Sequence, residues 1–157
     1  MNINKINKYL FTSLMGLTHW LTETKLRNII GKPLMRGLGN LTVVVKKARK
    51  KDSAIESAEE WQRMFPSKKM VPITKIDGDT VHAEIRSECP YRGSGNVEGC
   101  YRMMEYDRSM MEKIGSTFIV VKSQAEAGVT HCQIAISKRT VGLPIEAKDR
   151  IAIEARH

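Results

Sequence analysis

The sequence predicts an α+β domain: an antiparallel sheet of about four strands, with N-terminal helices and one long helix packed on it. Two observations predict it. Apolar residues recur every three or four positions as far as Phe65 and at every second position in short runs beyond Pro66. Between the first two of those runs stands Asp77-Gly78, the dipeptide that most favours a tight β-hairpin turn. Helices gathered ahead of antiparallel strands cover a sheet from one side rather than crossing between parallel strands.

The elements follow in order. Ile3, Ile6, Leu10, Leu14, Leu17 and Leu21 form one stripe of an amphipathic helix. Its uncharged stretch, Tyr9 to Thr22, is interrupted by Thr12, Ser13, Thr18 and His19 and lacks a small-residue cleavage site. It falls short of the roughly 20 apolar residues that span a bilayer, and does not read as a signal peptide. The stripe packs on the domain, a membrane-surface or homodimer contact being the alternative. A second helix starts at Pro33, with Leu34, Leu38, Leu41, Val45 and Ala48 at helical spacing, weakened by Gly37 and Gly39. Ser53-Ala-Ile-Glu56 is a capping box that opens a third helix, with Ile55, Ala58, Trp61 and Phe65 on its buried face and Pro66 as its stop.

In the second hairpin strand Val81, Ala83 and Ile85 point one way, and Thr80, His82, Glu84 and Arg86 the other. Asn96 caps a helix from Val97 to Ile114, ended by Gly115, with Cys100, Met103, Met104, Met111 and Ile114 on its buried side. Two further strands, Ser116 to Ser123 and Thr130 to Ser137, are joined through Gln124 to Gly128, and alternation turns Cys132 toward the core. The whole reads as a single domain over residues 1–157, with a helical part (1–66), a sheet-and-helix part (70–137) and a C-terminal tail or arm (138–157).

At 157 residues the chain can bury a working core without metal or disulfide staples. Three cysteines at irregular spacing do not make a secreted disulfide framework, so reduced thiols and a cytoplasmic location are expected. The net charge of +9 is N-terminal: residues 1–75 hold 15 Lys and Arg against 5 Asp and Glu, residues 76–157 hold 11 against 12. Its densest run, Lys46 to Lys51, suits the negative end of a helix macrodipole, the alternative being attraction of phosphates or an anionic surface. No helix-turn-helix, zinc-finger spacing or aromatic RNA-binding signature accompanies it, which speaks against nucleic acid as a partner.

The chemistry concentrates between residues 82 and 132. Ten residues separate Cys89 from Cys100 and 31 separate Cys100 from Cys132, without the close pairs of a structural zinc site. A nucleophilic thiol needs cationic neighbours or a helix N-terminus. Cys89 fits this test best: it follows a strand and precedes a glycine turn, with Arg86 and Arg92 close by and His82 and Glu84 on the strand before it. His82 is then the base candidate, with Glu84 beside it; Arg86 or Arg92 would clamp a carboxylate, and Tyr91, Cys100 and Met104 would line the pocket.

Glu88 to Ile136, with Cys89-Pro90, a cysteine opening a helix, a glycine ending it and the closing strand Ala127-Gly-Val-Thr-His-Cys-Gln-Ile-Ala-Ile136, resembles the core of the L-2-amino-thiazoline-4-carboxylic acid hydrolase family. More distantly it resembles vinyl-reductase-type small-molecule-binding domains. The first resemblance implies ring opening of a cyclic amidine-like thiazoline by a cysteine or an activated water, with no cofactor. The second implies a non-catalytic small-ligand module, and in its sensor members a zinc held by Cys and Glu. Cys100 and Cys132 stand where two of those cysteines would be. The other two ligand positions fall near Lys122 or Ser123 and near Ala125 or Glu126, so half of that set is missing.

Overall fold

The computed structural model describes residues 27–138 together with Ser13. The amphipathic stripe over residues 3–21 lies, Ser13 apart, outside the described residues, as does the tail after Lys138. The described chain runs α1 (Arg27–Val45), α2 (Ala54–Met64), a short 3₁₀ turn (Lys68–Met70), β1 (Ile73–Asp77), β2 (Thr80–Ile85), α3 (Val97–Met103), α4 (Glu105–Ile114), β3 (Thr117–Lys122) and β4 (Cys132–Ser137). It is an α+β fold. None of the described helices is long and apolar enough to cross a membrane.

The sheet is antiparallel throughout, in the order β1-β2-β4-β3. Gly78, at φ 55°, makes the hairpin turn predicted from Asp77-Gly78. Register decides what each face carries. Val81, Ala83 and Ile85 stand opposite Ile136, Ile134 and Cys132, and Phe118 and Val120 complete this apolar side. Trp61 of α2, fully buried, packs on Phe65 and Phe118. Ser53 and Glu56 form the expected capping box at the start of α2. Ile55 departs from its assigned buried place, being 38% exposed, while Ala54, Ser57, Ala58, Trp61 and Met64 are buried.

The first helix corrects the sequence reading twice. It begins at Arg27, so Pro33 lies inside it and leaves one carbonyl of the ladder without its donor. Its buried side is Gly31, Met35 and Gly39 rather than the stripe of Leu41 and Val45, which is solvent-exposed. Glycine is the reason. α1 lies chiefly along α4, and a Cβ on Gly39 would stand 2.1 Å from Ser109 Oγ and 2.4 Å from the Tyr106 carbonyl oxygen. Around that contact Ser109 donates to the Arg36 carbonyl (3.2 Å), Thr42 and Tyr106 share a hydroxyl hydrogen bond (2.9 Å), and Arg36 bridges Glu105 (3.0 Å) and Glu112.

The single long helix expected over Val97–Ile114 is divided at Met104. In an unbroken ladder the Tyr101 carbonyl would accept from Glu105. Here it accepts from the Arg108 guanidinium at 3.1 Å, a side chain inserted into the ladder. Asn96 caps α3 through the Gly99 amide, and Gly115, at φ 91°, closes α4 as read from the sequence.

Two glycine substitutions separate close packing from helix propensity. Gly39→Ala is expected to cost about 1–3 kcal/mol by overpacking. Gly37→Ala, with nothing within 4 Å of the added methyl, is expected to gain roughly 0.5–1 kcal/mol. Urea unfolding of both variants checks this, and equal effects at the two positions would contradict it.

Candidate thiol site

Three elements bring the cysteines to one region of the core. Cys132 opens β4 on the helix-facing side, Cys100 sits on α3, and Cys89 lies in the turn after β2; all three are free and buried. The Cys100 thiol hydrogen-bonds to Cys132, and Cys89 is near enough to feel charge on Cys132.

The segment after β3 organises them. Ser123, Gln124 and Ala125 are each fully buried. The Ser123 hydroxyl donates to Cys100 Sγ at 3.0 Å. Gln124 gives Cys132 Sγ two donors, its backbone N–H at 3.4 Å and its side-chain Nε2 at 3.5 Å. Its Oε1 accepts from Arg92 Nε at 3.0 Å, and Nε2 also reaches the Ser87 carbonyl at 3.4 Å. The glycine turn closes over this segment: Gly93 donates to the Gln124 carbonyl (2.8 Å) and Gly95 to that of Ala125 (2.9 Å). Gly93 and Gly95 have φ of 64° and 72°, which lets the turn run with both amides pointing inward.

This arrangement orders the thiols. The Cys132 thiol is lowered below the usual thiol range, foremost by the hydrogen bond from Cys100 and further by the Gln124 donors, against the opposing effect of burial. Cys100 is raised far above the usual thiol range, because it donates to Cys132 and because it is buried. The first proton to leave this pair therefore comes from Cys132, where three donors meet the charge. Cys89 is raised from 9.0 to about 11, mainly by burial; the Tyr91 amide and Arg92 offset only part of that.

The residues assigned to the site from sequence do not all meet. His82 and Glu84 occupy the sheet face opposite Val81, Ala83 and Ile85, so the sheet separates them from the thiols. Glu84 instead pairs with Arg86 at 2.8 Å, at the surface. Tyr91 is fully buried with its ring against Gly99, and Met104 is buried at the α3–α4 junction. Arg92 is held above the thiols through Gln124. Of the zinc alternative, Cys100 and Cys132 do meet, but Glu126 turns to accept from the Ser123 amide (2.9 Å) and His131 engages Thr130 (3.0 Å). Among the described residues no three His, Cys, Asp or Glu side chains are grouped as a metal site requires.

Sequence reasoning passed over Ser123, placed at the end of a strand, Gln124, placed in the joining turn, and Asp107. Asp107 is buried and accepts from Trp61 Nε1 at 2.9 Å. Burial raises its carboxyl from 3.8 to about 6, and its charge in turn opposes that of Cys132. A signal for it existed: position 107 continues the 3–4 spacing of Cys100, Met104, Met111 and Ile114.

No protein-family model, curated protein or solved structure gives a significant match to the chain.

Asp107 yields a pH prediction. A carboxyl whose pKa is higher folded than unfolded holds more protons in the folded chain. Its stabilising contribution is complete below 3.8 and is lost as pH rises through about 6. Asp107→Asn keeps an acceptor for Trp61 and has no such loss. Its stability relative to the wild type should therefore climb by about 3 kcal/mol at most between acid and neutral pH. Denaturant titrations across that range test it, and parallel pH curves for the two proteins would contradict it.

Proposed function

We infer that the protein is a small cysteine-dependent hydrolase acting on a sulfur- and nitrogen-containing small molecule, of the thiazoline-carboxylate ring-opening kind, with Cys132 as its nucleophile. The observation that carries this reading is the convergence of three donors on Cys132 Sγ, which favours a thiolate near neutral pH. The resemblance of Glu88 to Ile136 to the thiazoline-carboxylate hydrolases supports the substrate class. Cys89 loses the role that sequence reasoning gave it, because burial raises its thiol and His82 stands across the sheet.

In this reading the Cys132 thiolate adds to the ring carbon between nitrogen and sulfur. The ring nitrogen takes the proton of Cys100, whose thiol becomes more acidic once the neighbouring Cys132 charge is spent in the new C–S bond. The ring C–S bond then breaks, freeing the substrate thiolate. Water displaces Cys132 from the carbon, returning one proton to Cys100 and one to the product thiolate. Arg92, fixed through Nε to Gln124, supplies the cation for the substrate carboxylate. Access requires the turn over the site to lift, breaking the Gly93 and Gly95 hydrogen bonds.

A second reading, a non-catalytic small-ligand module, is favoured by one observation: Cys100 and Cys132 have no exposed surface. Turnover of L-2-amino-thiazoline-4-carboxylate separates the two. The hydrolase reading expects Cys132→Ser to lower kcat/KM by two orders of magnitude or more, and Cys89→Ser to stay within a few-fold of wild type. Binding of that compound without turnover would favour the ligand module. Full turnover by Cys132→Ser would remove Cys132 from the chemistry.

A further inference from the structure

We propose that α1 docks the protein on an anionic lipid surface, through the apolar face it turns away from the domain. Ile29, Ile30, Leu41, Val44 and Val45 are 76, 49, 58, 72 and 67% exposed. With exposed Pro33 and Gly37 they fall within one side of the helix at its 3.6-residue period, and among the described side chains from Ile29 to Val45 no charged residue interrupts that side. Gly31, Met35 and Gly39 occupy the opposite side, against α4, so packing among the described residues does not account for the outer stripe.

Charge selects the occupant. Between Arg27 and Lys51 there are eight Lys and Arg and no Asp or Glu. Lys32 flanks the stripe, and α1 ends directly into exposed Lys46 and Lys47, with Lys47 in a left-handed turn at φ 51°. An apolar helix face bordered by lysines and lacking acids suits the boundary between anionic headgroups and acyl chains. A second copy of the chain would bring the same unopposed lysines together. Nucleic acid would need cations on the face itself, where the described side chains from Ile29 to Val45 supply none.

The test is sedimentation of the full chain with vesicles of phosphatidylcholine, with and without phosphatidylserine. Binding is expected only to the phosphatidylserine vesicles, and should weaken as salt rises from about 0.1 M to 1 M and the Debye length shrinks from roughly 10 Å to 3 Å. Leu41→Glu with Val44→Glu, both at exposed positions, should weaken binding by roughly tenfold or more while leaving the circular dichroism spectrum unchanged. Lys46→Gln with Lys47→Gln should weaken it by roughly fivefold per lysine. The proposal is overturned by no binding to anionic vesicles at low salt, or by binding that both double variants retain. It is also overturned if the chain sediments without lipid as a dimer that Leu41→Glu with Val44→Glu dissociates.

Discussion

A buried amide has to satisfy its hydrogen-bonding groups within the protein, and Gln124 is the residue on which that demand falls hardest. It has no exposed surface, and its four polar groups are all engaged: N–H to Cys132, C=O from Gly93, Oε1 from Arg92, Nε2 to Ser87 and Cys132. Leaving any one of them unpaired would cost about 1–3 kcal/mol. Meeting them together ties the turn after β2 to the segment after β3 and aims both at the first residue of β4. The environment of the Cys132 sulfur is thus a by-product of solving a backbone and amide problem in the core.

At Asp107 and Cys132, burial and hydrogen-bond partners set the charge state more than opposite charges do. Asp107 accepts from the Trp61 indole N–H and has its carboxyl raised to about 6 by desolvation, while Cys132 draws its lower pKa from neutral donors. The two influence each other through the same apolar medium, since ionising Asp107 disfavours the Cys132 thiolate. The ionic contacts of Arg36 with Glu105 and Glu112 lie on the other side of α4, where they seal the α1 contact that Gly39 makes possible.

Much of the fold was legible because it rests on local chemistry. Ser53 and Glu56 cap α2, Gly78 turns the hairpin, Asn96 and Gly115 bound the helical run, and period-two alternation put Cys132 inward. What escaped depended on contacts distant in sequence. Gly39 reads as a weak point of a helix until Tyr106 and Ser109 are placed against it. At the division of the long helix, by contrast, the contact is local: Arg108 reaches the Tyr101 carbonyl, which helical spacing alone does not announce. At the site the sequence drew attention to the cysteine with the most ionisable neighbours in the chain. The alternation that turned Val81 inward had already carried His82 and Glu84 to the other face. Ser123 and Gln124 carry no motif, and their importance follows from complete burial.

Gln124 and the Cys100 to Cys132 hydrogen bond set the order in which the three thiols of this core ionise. Carbon-13 NMR of selectively labelled cysteine β-carbons, followed through a pH titration of the folded protein, reads that order residue by residue. Cys132 should titrate first, below the usual thiol range, and Cys89 only at about 11. Cys100 should remain a thiol throughout. Ionisation of Cys89 ahead of Cys132, or a common midpoint near 9.0 for both, would contradict the account.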